Sequence, residues 1–255
     1  MNAGVRTGAL SLLLALQSEI ERRMNFVLQM AMMAVNDLLF VAFWVLVYSH
    51  QDSIKGWERD EMLVVFAALA LGVGFGIGFG NGLRRLSLRI SAGDLDPLLV
   101  QPRSVLLRVV TARVYPPGIG DMVFALVLFA FAGHADLASW LWFLGASMLG
   151  GLITLAFMLL WESLAFWGDT GGRAAGIAFT ALAVMGIYPS QIFPGAMKLV
   201  IFTAIPAALV GSVPAEIALD PTPQLVVGLI AGTLGLWTAA LLVFHAGLRR
   251  YMRAV

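Results

Sequence analysis

Six apolar stretches, each close to the length of a membrane-crossing helix, constrain this chain more than any other feature. Such a helix needs about 20 mostly apolar residues. The stretches are 24–48, 62–83, 116–133, 137–161, 174–193 and 225–248. With 60% hydrophobic and 12% charged residues in 255, the chain has more apolar side chains than one water-soluble core can bury. The sequence therefore predicts an all-α polytopic membrane protein with six transmembrane helices.

The basic residues predict the orientation of these helices. If the N-terminus is inside, all but three of the 16 Lys and Arg residues fall on the cytoplasmic side. The exceptions are Lys55, Arg59 and Lys198. Because cytoplasmic loops of membrane proteins are enriched in Lys and Arg, we predict that both termini are cytoplasmic.

The apolar segment 198–213 in the last outer region does not fit a seventh span. Six of the ten prolines lie between the fifth and sixth spans, and Pro206 falls inside this segment. Proline removes a backbone donor and breaks a helix. A seventh span would also place the Arg-rich tail outside. We therefore predict a re-entrant helical segment in the outer region 188–224, buried in protein.

Residues 1–23 predict an amphipathic helix on the inner leaflet. Leu12 and Leu16 lie on one side of this helix, and Glu21 lies toward water. A helix with one apolar and one polar face binds in the plane of the membrane interface. The chain is thus divided into this interfacial helix and a six-helix transmembrane domain, 24–255.

The cytoplasmic loop 84–115 contains the most informative local pattern. Gly93 suits the left-handed conformation that ends many helices. Asp94 or Asp96 suits the N-cap of a following helix, and Pro97 suits its first turn. The pattern predicts two short helices joined at the glycine.

A ridge of leucines follows in the same loop. Leu95, Leu98 and Leu99 recur at helical spacing, and Pro102 interrupts the pattern. An exposed ridge of this kind is typical of a docking site for a soluble partner. A helix that buries its leucines among lipid headgroups has the same pattern, so both interpretations stay open on the residues alone.

The segment 90–102 resembles the signature loop of permease subunits of ABC exporters. The resemblance is to the type-2 exporter superfamily, in its viologen-exporter-like branch. Further matches follow in the expected order over most of the chain. They are Phe43-Trp44, Gly56-Trp57, Tyr188-Pro189, Phe193-Pro194, Ile205-Pro206 and Val213-Pro214-Ala215-Glu216.

This resemblance implies a permease subunit of an ATP-driven exporter in a bacterial inner membrane. Such a subunit moves an amphipathic or hydrophobic compound out of the cytoplasm or the inner leaflet. It pairs with a second copy or a paralogous permease and rests on two copies of a separate ABC ATPase, which bind ATP and Mg. Export of a lipid or a polysaccharide also stays open.

The resemblance also implies which residues contact the ATPase. The coupling helix of the family corresponds to Gly93, Asp94, Leu95, Asp96, Pro97, Leu98, Leu99 and Pro102. The alternative from another class is an ATP-independent channel or secondary transporter. That class predicts an internal repeat with paired broken helices, and the two halves of this sequence contain no convincing repeat.

Asn36 and Asp37 lie near the middle of the first span, and Phe40 and Trp44 follow in its outer half. A charged side chain at a helix centre costs roughly 3 kcal/mol on insertion scales, so Asp37 needs a polar surrounding. It either faces the substrate path or the dimer seam, where it attracts a cationic compound, or makes a structural hydrogen bond. The aromatic rings either stack on a flat amphiphile or belong to the aromatic belt at the membrane interface.

Glycines recur at every second position in the second span. Gly72, Gly76 and Gly80 share one helix face, while Gly74 and Gly78 share another. Small residues at every fourth position allow helices to approach closely. The pattern predicts either a surface that slides or contacts a second subunit, or tight packing within one subunit.

The loop between the fourth and fifth spans, 161–173, is short. Its charged residues Glu162, Asp169 and Arg173 predict a solvated turn. Because Arg173 is its only basic residue, this loop poorly specifies a second contact with an ATPase.

Composition excludes several other functions. A net charge of +1 provides no bulk positive field for nucleic acid. The chain has no Cys for disulfides, thiolate zinc sites or a cysteine nucleophile, and its three His residues lack metal-ligand spacing. No phosphate-binding loop occurs. We therefore expect no enzymatic activity, no metal and no cofactor in this chain.

Overall fold

Helices form the regular structure of the chain. The computed structural model describes residues 3–100, 104–133, 136–168 and 171–254. The helices are α1 (Ala3–Glu21), α2 (Arg23–Tyr48), α3 (Arg59–Gly80), α4 (Leu86–Ala92), α5 (Asp96–Leu99), α6 (Val105–Val110), α7 (Pro116–Phe131), α8 (Leu137–Ser163), α9 (Gly171–Gly186), α10 (Ala196–Phe202), α11 (Ser212–Leu219) and α12 (Pro223–Ala254). Short 3-10 turns lie at Leu83–Arg85, Leu164–Phe166 and Ser190–Ile192. Within these ranges no β-strand forms.

Four helices, α2, α3, α8 and α12, are long and apolar enough to cross a membrane. The apolar helices α7 and α9 are shorter, with 16 residues each. At a rise of 1.5 Å per residue, 16 residues cover about 24 Å, somewhat less than the hydrocarbon core of a bilayer. The chain is therefore a polytopic helical membrane protein, and the number of its spans stays a prediction.

The helix α3 lies at the centre of the bundle, and one of its glycine faces packs on α8. A Cβ atom added to Gly76 would lie 2.6 Å from Cγ2 of Thr154. One added to Gly72 would lie 3.3 Å from the backbone of Gly150, and one on Gly80 would overlap the Leu155 side chain. Only glycine leaves room for so close an approach.

The second glycine face of α3 packs on α7. A Cβ atom on Gly74 would lie 2.7 Å from both the Asp121 Cβ and the Gly118 carbonyl oxygen. Gly78 faces the same Gly118 across the two helices. Both glycine faces are therefore used for packing inside one subunit, and neither is free for a second one.

The helices α2 and α12 lie at the edge of the bundle. α2 packs on α7 and α3 and keeps most of its apolar side chains exposed, while α12 packs chiefly on α8. The exposed apolar faces of α2 and α12 are suited to contact with lipid or with another membrane subunit.

The outer region after α9 does not form one helix. α10 ends at Phe202, the chain continues without helix past Pro206, and α11 begins at Ser212. α11 packs against α8 and α3, and nearly all residues from Pro206 to Ala218 are buried. The non-helical backbone is thus covered by protein, as irregular backbone at membrane depth must be.

Candidate functional site

The α4–α5 segment, residues 86–99, reverses direction at Gly93. Its φ of +75° lies in the left-handed region that favours glycine, as the sequence predicts. The Asp94 N–H donates to the Arg89 carbonyl at 2.9 Å and satisfies one of the free carbonyls at the end of α4. This local motif gives the segment a defined turn without outside contacts.

The predicted aspartate cap of α5 is wrong. The helix begins at Asp96, so the N-cap position falls to Leu95, whose side chain has no acceptor. Pro97 does lie in the first turn. The Asp96 carboxylate instead accepts a hydrogen bond of 2.7 Å from the Tyr251 hydroxyl on α12. The carboxylate therefore ties α5 to the end of the last helix.

The predicted exposed leucine ridge is also wrong at one position. Leu95 is 0% exposed and belongs to the main apolar core, while Leu98 and Leu99 are half-buried. The reason is that the turn at Gly93 folds the segment back on the bundle, so its central leucine becomes an anchor. Pro102 lies outside the described residues.

The solvent-facing tip of the segment is acidic and small. Asp94, Asp96 and Pro97 are exposed, and Val100, which follows α5, is 84% exposed. The Asp94 and Val100 side chains are therefore available to a partner that approaches this end of the bundle, whereas Leu95 is not.

The start of α4 is held by Glu162, which the sequence places in a solvated turn. That expectation is wrong, because α8 continues to Ser163 and carries Glu162 into the protein, where it is 6% exposed. Its Oε2 accepts the Ser87 backbone N–H at 2.9 Å, one of the free donors at a helix start. Arg173 is exposed as predicted. Asp169 lies outside the described residues.

Basic residues surround the same region. The Arg84 guanidinium lies 5.2 Å from the ring centre of Phe179 on α9 and 5.8 Å from that of Tyr115, both cation–π contacts. Burial lowers the pKa of Arg89, and the nearby Arg113 lowers it further. The α4–α5 segment thus has acidic side chains at its exposed tip and basic residues where it joins the bundle.

The helix α1 contacts the chain just after the α4–α5 segment. A Cβ atom added to Gly8 would lie 2.9 Å from the Leu107 side chain of α6. The Ser11 hydroxyl donates to the Thr111 carbonyl oxygen at 3.4 Å. The N-terminal helix is therefore joined to the loop that carries the segment.

In α2, Asp37 lies inside the bundle and not on its outer face. Asp37 and Asp121 of α7 are each 3% exposed and lie close enough to interact electrostatically. Asp37 Oδ2 and Asp121 Oδ1 have no hydrogen-bond partner among the described residues. The sequence did not predict that Asp121 lies beside Asp37, although a carboxylate near the start of a span indicates a polar neighbour. No group of three or more His, Cys, Asp or Glu able to hold a metal occurs in the described ranges.

The aromatic residues of α2 divide between inside and outside. Trp44 is 4% exposed, and its ring centre lies 5.8 Å from that of Tyr188. Phe40 is partly exposed and contacts Phe66 at 5.8 Å between ring centres. Asn36 is exposed. Of the predicted path residues, only Asn36 and Phe40 can therefore meet a ligand at this surface.

Comparison with known proteins assigns the family. The sequence matches the family described as "ABC-2 family transporter protein" over residues 31–254, from within α2 to the end of α12. No curated protein matches the chain. Permeases of this family are membrane transport components without their own ATPase, which implies an ABC ATPase as partner. The chain thus belongs to the ABC-2 transporter family as a multi-pass membrane permease.

Proposed function

We propose that this chain is the permease subunit of an ATP-driven exporter for an amphipathic or hydrophobic compound. A separate ABC ATPase, two copies per complex, binds ATP with Mg and supplies the energy. The observation that carries the proposal is the α4–α5 segment, an exposed acidic tip on a buried leucine anchor, in a chain of the ABC-2 family. The resemblance of segment 90–102 supports the viologen-exporter-like branch.

The proposed topology has six spans, formed by α2, α3, α7, α8, α9 and α12, in a bacterial inner membrane. The excess of Lys and Arg at one end supports cytoplasmic termini. Residues 1–23 form the inner-leaflet helix and 24–255 the transmembrane domain. The outer region 188–224, with its buried non-helical chain before α11, forms the re-entrant segment.

Each residue of the coupling loop has a distinct role in this proposal. Gly93 permits the turn, Leu95 anchors the segment, and Asp94 and Asp96 contact the ATPase. Pro97 lies in the first turn of α5, Leu98 and Leu99 line its half-buried face, and Pro102 belongs to the same loop.

Two copies of the chain, or one copy and a paralogous permease, enclose the path. The exposed outer face of α2, with Asn36 and Phe40, contributes to this path. The buried side chains of Asp37 and Trp44 hold α2 against the rest of the bundle. No bond is made or broken in this chain. ATPase closure moves the α4–α5 segment, and the bundle alternates between inward-open and outward-open states.

The test is purification of the chain with the ABC ATPase encoded beside its gene. Wild-type chain is expected to form a complex with ATPase activity. Asp94→Lys combined with Val100→Asp changes two exposed side chains and should abolish the complex. Asp52→Lys, an exposed charge reversal at the opposite end of the bundle, is the matched control and should leave the complex intact.

Two results would overturn the proposal. The first is that no ATPase associates with the wild type, which favours an ATP-independent channel or secondary transporter. The second is that the double variant binds the ATPase as well as the Asp52→Lys control does.

A further inference from the structure

We propose that Glu162 is the positioning residue that transmits movement of the α4–α5 segment to α8. The inference rests on the proposed function, because it assumes that an ATPase moves this segment. It concerns a buried contact between two helices, and no side chain of the exposed tip takes part.

The contact is direct and shielded from water. The Glu162 carboxylate accepts the backbone N–H of Ser87 at 2.9 Å. Both residues are less than a tenth exposed. A buried backbone donor that loses its acceptor costs about 1–3 kcal/mol. The start of α4 and the end of α8 are therefore expected to move together.

The surroundings leave the start of α4 little freedom to move alone. A Cβ atom added to Gly172 at the start of α9 would lie 2.5 Å from the Ser87 hydroxyl oxygen. Arg84 stacks on Phe179 and also attracts the Glu162 carboxylate. α4 is thus enclosed by the end of α8, the turn that follows it, and α9.

α8 is the helix through which such a movement would spread. It packs against α3, α9, α11 and α12, and so contacts both the centre and the edge of the bundle. A shift of α8 would change the packing of these four neighbours together. By contrast, the Tyr251–Asp96 bond links the segment to α12 alone and is exposed to water.

The experiment measures whether ATP moves α8. The chain has no Cys, so a single introduced Cys is its only thiol. Leu137→Cys reports the far end of α8 and Val227→Cys the start of α12, at side chains that are 75% and 64% exposed. In the complex with the ATPase, the reaction rate of each thiol with a polar maleimide is measured with and without a non-hydrolysable ATP analogue.

The variants separate transmission from folding. Glu162→Ala removes the acceptor, and Glu162→Gln keeps a neutral one. Ser163→Ala removes a buried hydroxyl that bonds the Leu159 carbonyl within α8, and so is the matched control. We expect the analogue to change both rates in the wild type. Glu162→Ala should lose the change at Leu137→Cys, while Glu162→Gln and Ser163→Ala should keep it.

The outcomes distinguish this inference from the proposed function. If the analogue changes neither rate in the wild type, the proposed function falls and this inference with it. If Val227→Cys responds and Leu137→Cys does not, or if Glu162→Ala leaves the Leu137→Cys response intact, the inference alone falls. If Glu162→Ala and Ser163→Ala both lose the Leu137→Cys response, the cause is a general packing defect, and the inference is overturned.

Discussion

At Gly93 the backbone reverses between α4 and α5 with a φ that side chains rarely adopt. A Cβ atom there would meet the following carbonyl oxygen, at a cost of about 1–2 kcal/mol in the free energy of unfolding. Gly93→Ala should therefore lower thermal stability in detergent and weaken ATPase binding, while Gly93→Asn should be better tolerated.

The control for this prediction is Gly145→Ala in α8. Gly145 has a helical neighbourhood and nothing within 4 Å of an added Cβ, so alanine should be neutral or stabilising there. Equal melting temperatures for Gly93→Ala and Gly145→Ala would contradict the argument from backbone conformation.

Leu95 and Val100 show how two apolar residues five positions apart differ. Leu95 is fully buried, so Leu95→Ala should cost about 2–5 kcal/mol of stability through lost packing. Val100 is 84% exposed, and Val100→Ala should leave stability unchanged. Unfolding monitored by intrinsic tryptophan fluorescence measures both. A loss of stability at Val100 equal to that at Leu95 would contradict the anchor role.

Among the elements, α3 depends on two glycine faces for its close contacts. Gly74→Ala would place a Cβ atom 2.7 Å from the Asp121 Cβ and force α3 and α7 apart, which should cost about 1–3 kcal/mol in stability. Gly235→Ala in α12 meets open space and is the control. Melting of the purified protein in detergent compares the two. Equal melting temperatures for the two variants would show that α7 moves away from an added Cβ atom without loss of stability.

α5 is linked to α12 by one side-chain hydrogen bond. Tyr251→Phe removes the donor to Asp96 and keeps the ring, so overall stability should fall by only about 0.5–1.5 kcal/mol. Hydrogen exchange of the amides in α5 should become faster. Thr238→Val removes an exposed hydroxyl that bonds within α12 and should leave exchange in α5 unchanged. Unchanged exchange in Tyr251→Phe would mean that the bond does not hold α5.

The helices were predictable from sequence because length and apolar content alone determine whether a segment suits a bilayer. The turn at Gly93 was predictable because its cause is local. The burial of Leu95 and the roles of Glu162 and Asp121 were not, since each depends on a partner far along the chain. Ser87 lies 75 positions from Glu162, and no periodic pattern encodes such a pairing.

In the whole molecule, polar contacts at each end of the bundle join a different set of helices and loops. At one end, Trp57 donates to Gln191, which in turn donates to Glu216. These bonds join the loop before α3 to the region around α11. At the other end, the ends of α8 and α12 are bonded to the α4–α5 segment. The helix α1 contacts α6, which follows this segment in the chain. A movement of that segment would therefore affect several helices at once, as the proposed alternating access requires.

The orientation of these two ends in the membrane can be tested directly. The proposed six spans would place both termini on one side, and the basic residues predict that this side is the cytoplasm. In intact cells, a membrane-impermeant maleimide should label Asp52→Cys, which lies exposed between α2 and α3, and should not label Met252→Cys near the end of α12.

Permeabilised cells provide the control, because both thiols should then react. Met252 is 49% exposed, so burial would not hide the introduced thiol. Labelling of Met252→Cys in intact cells would place the Arg-rich end of α12 outside. Because the Tyr251–Asp96 bond holds that end beside α5, the α4–α5 segment would then be on the wrong side of the membrane for a cytoplasmic ATPase. One labelling experiment thus tests whether the number of spans is even and on which side of the membrane the coupling site lies.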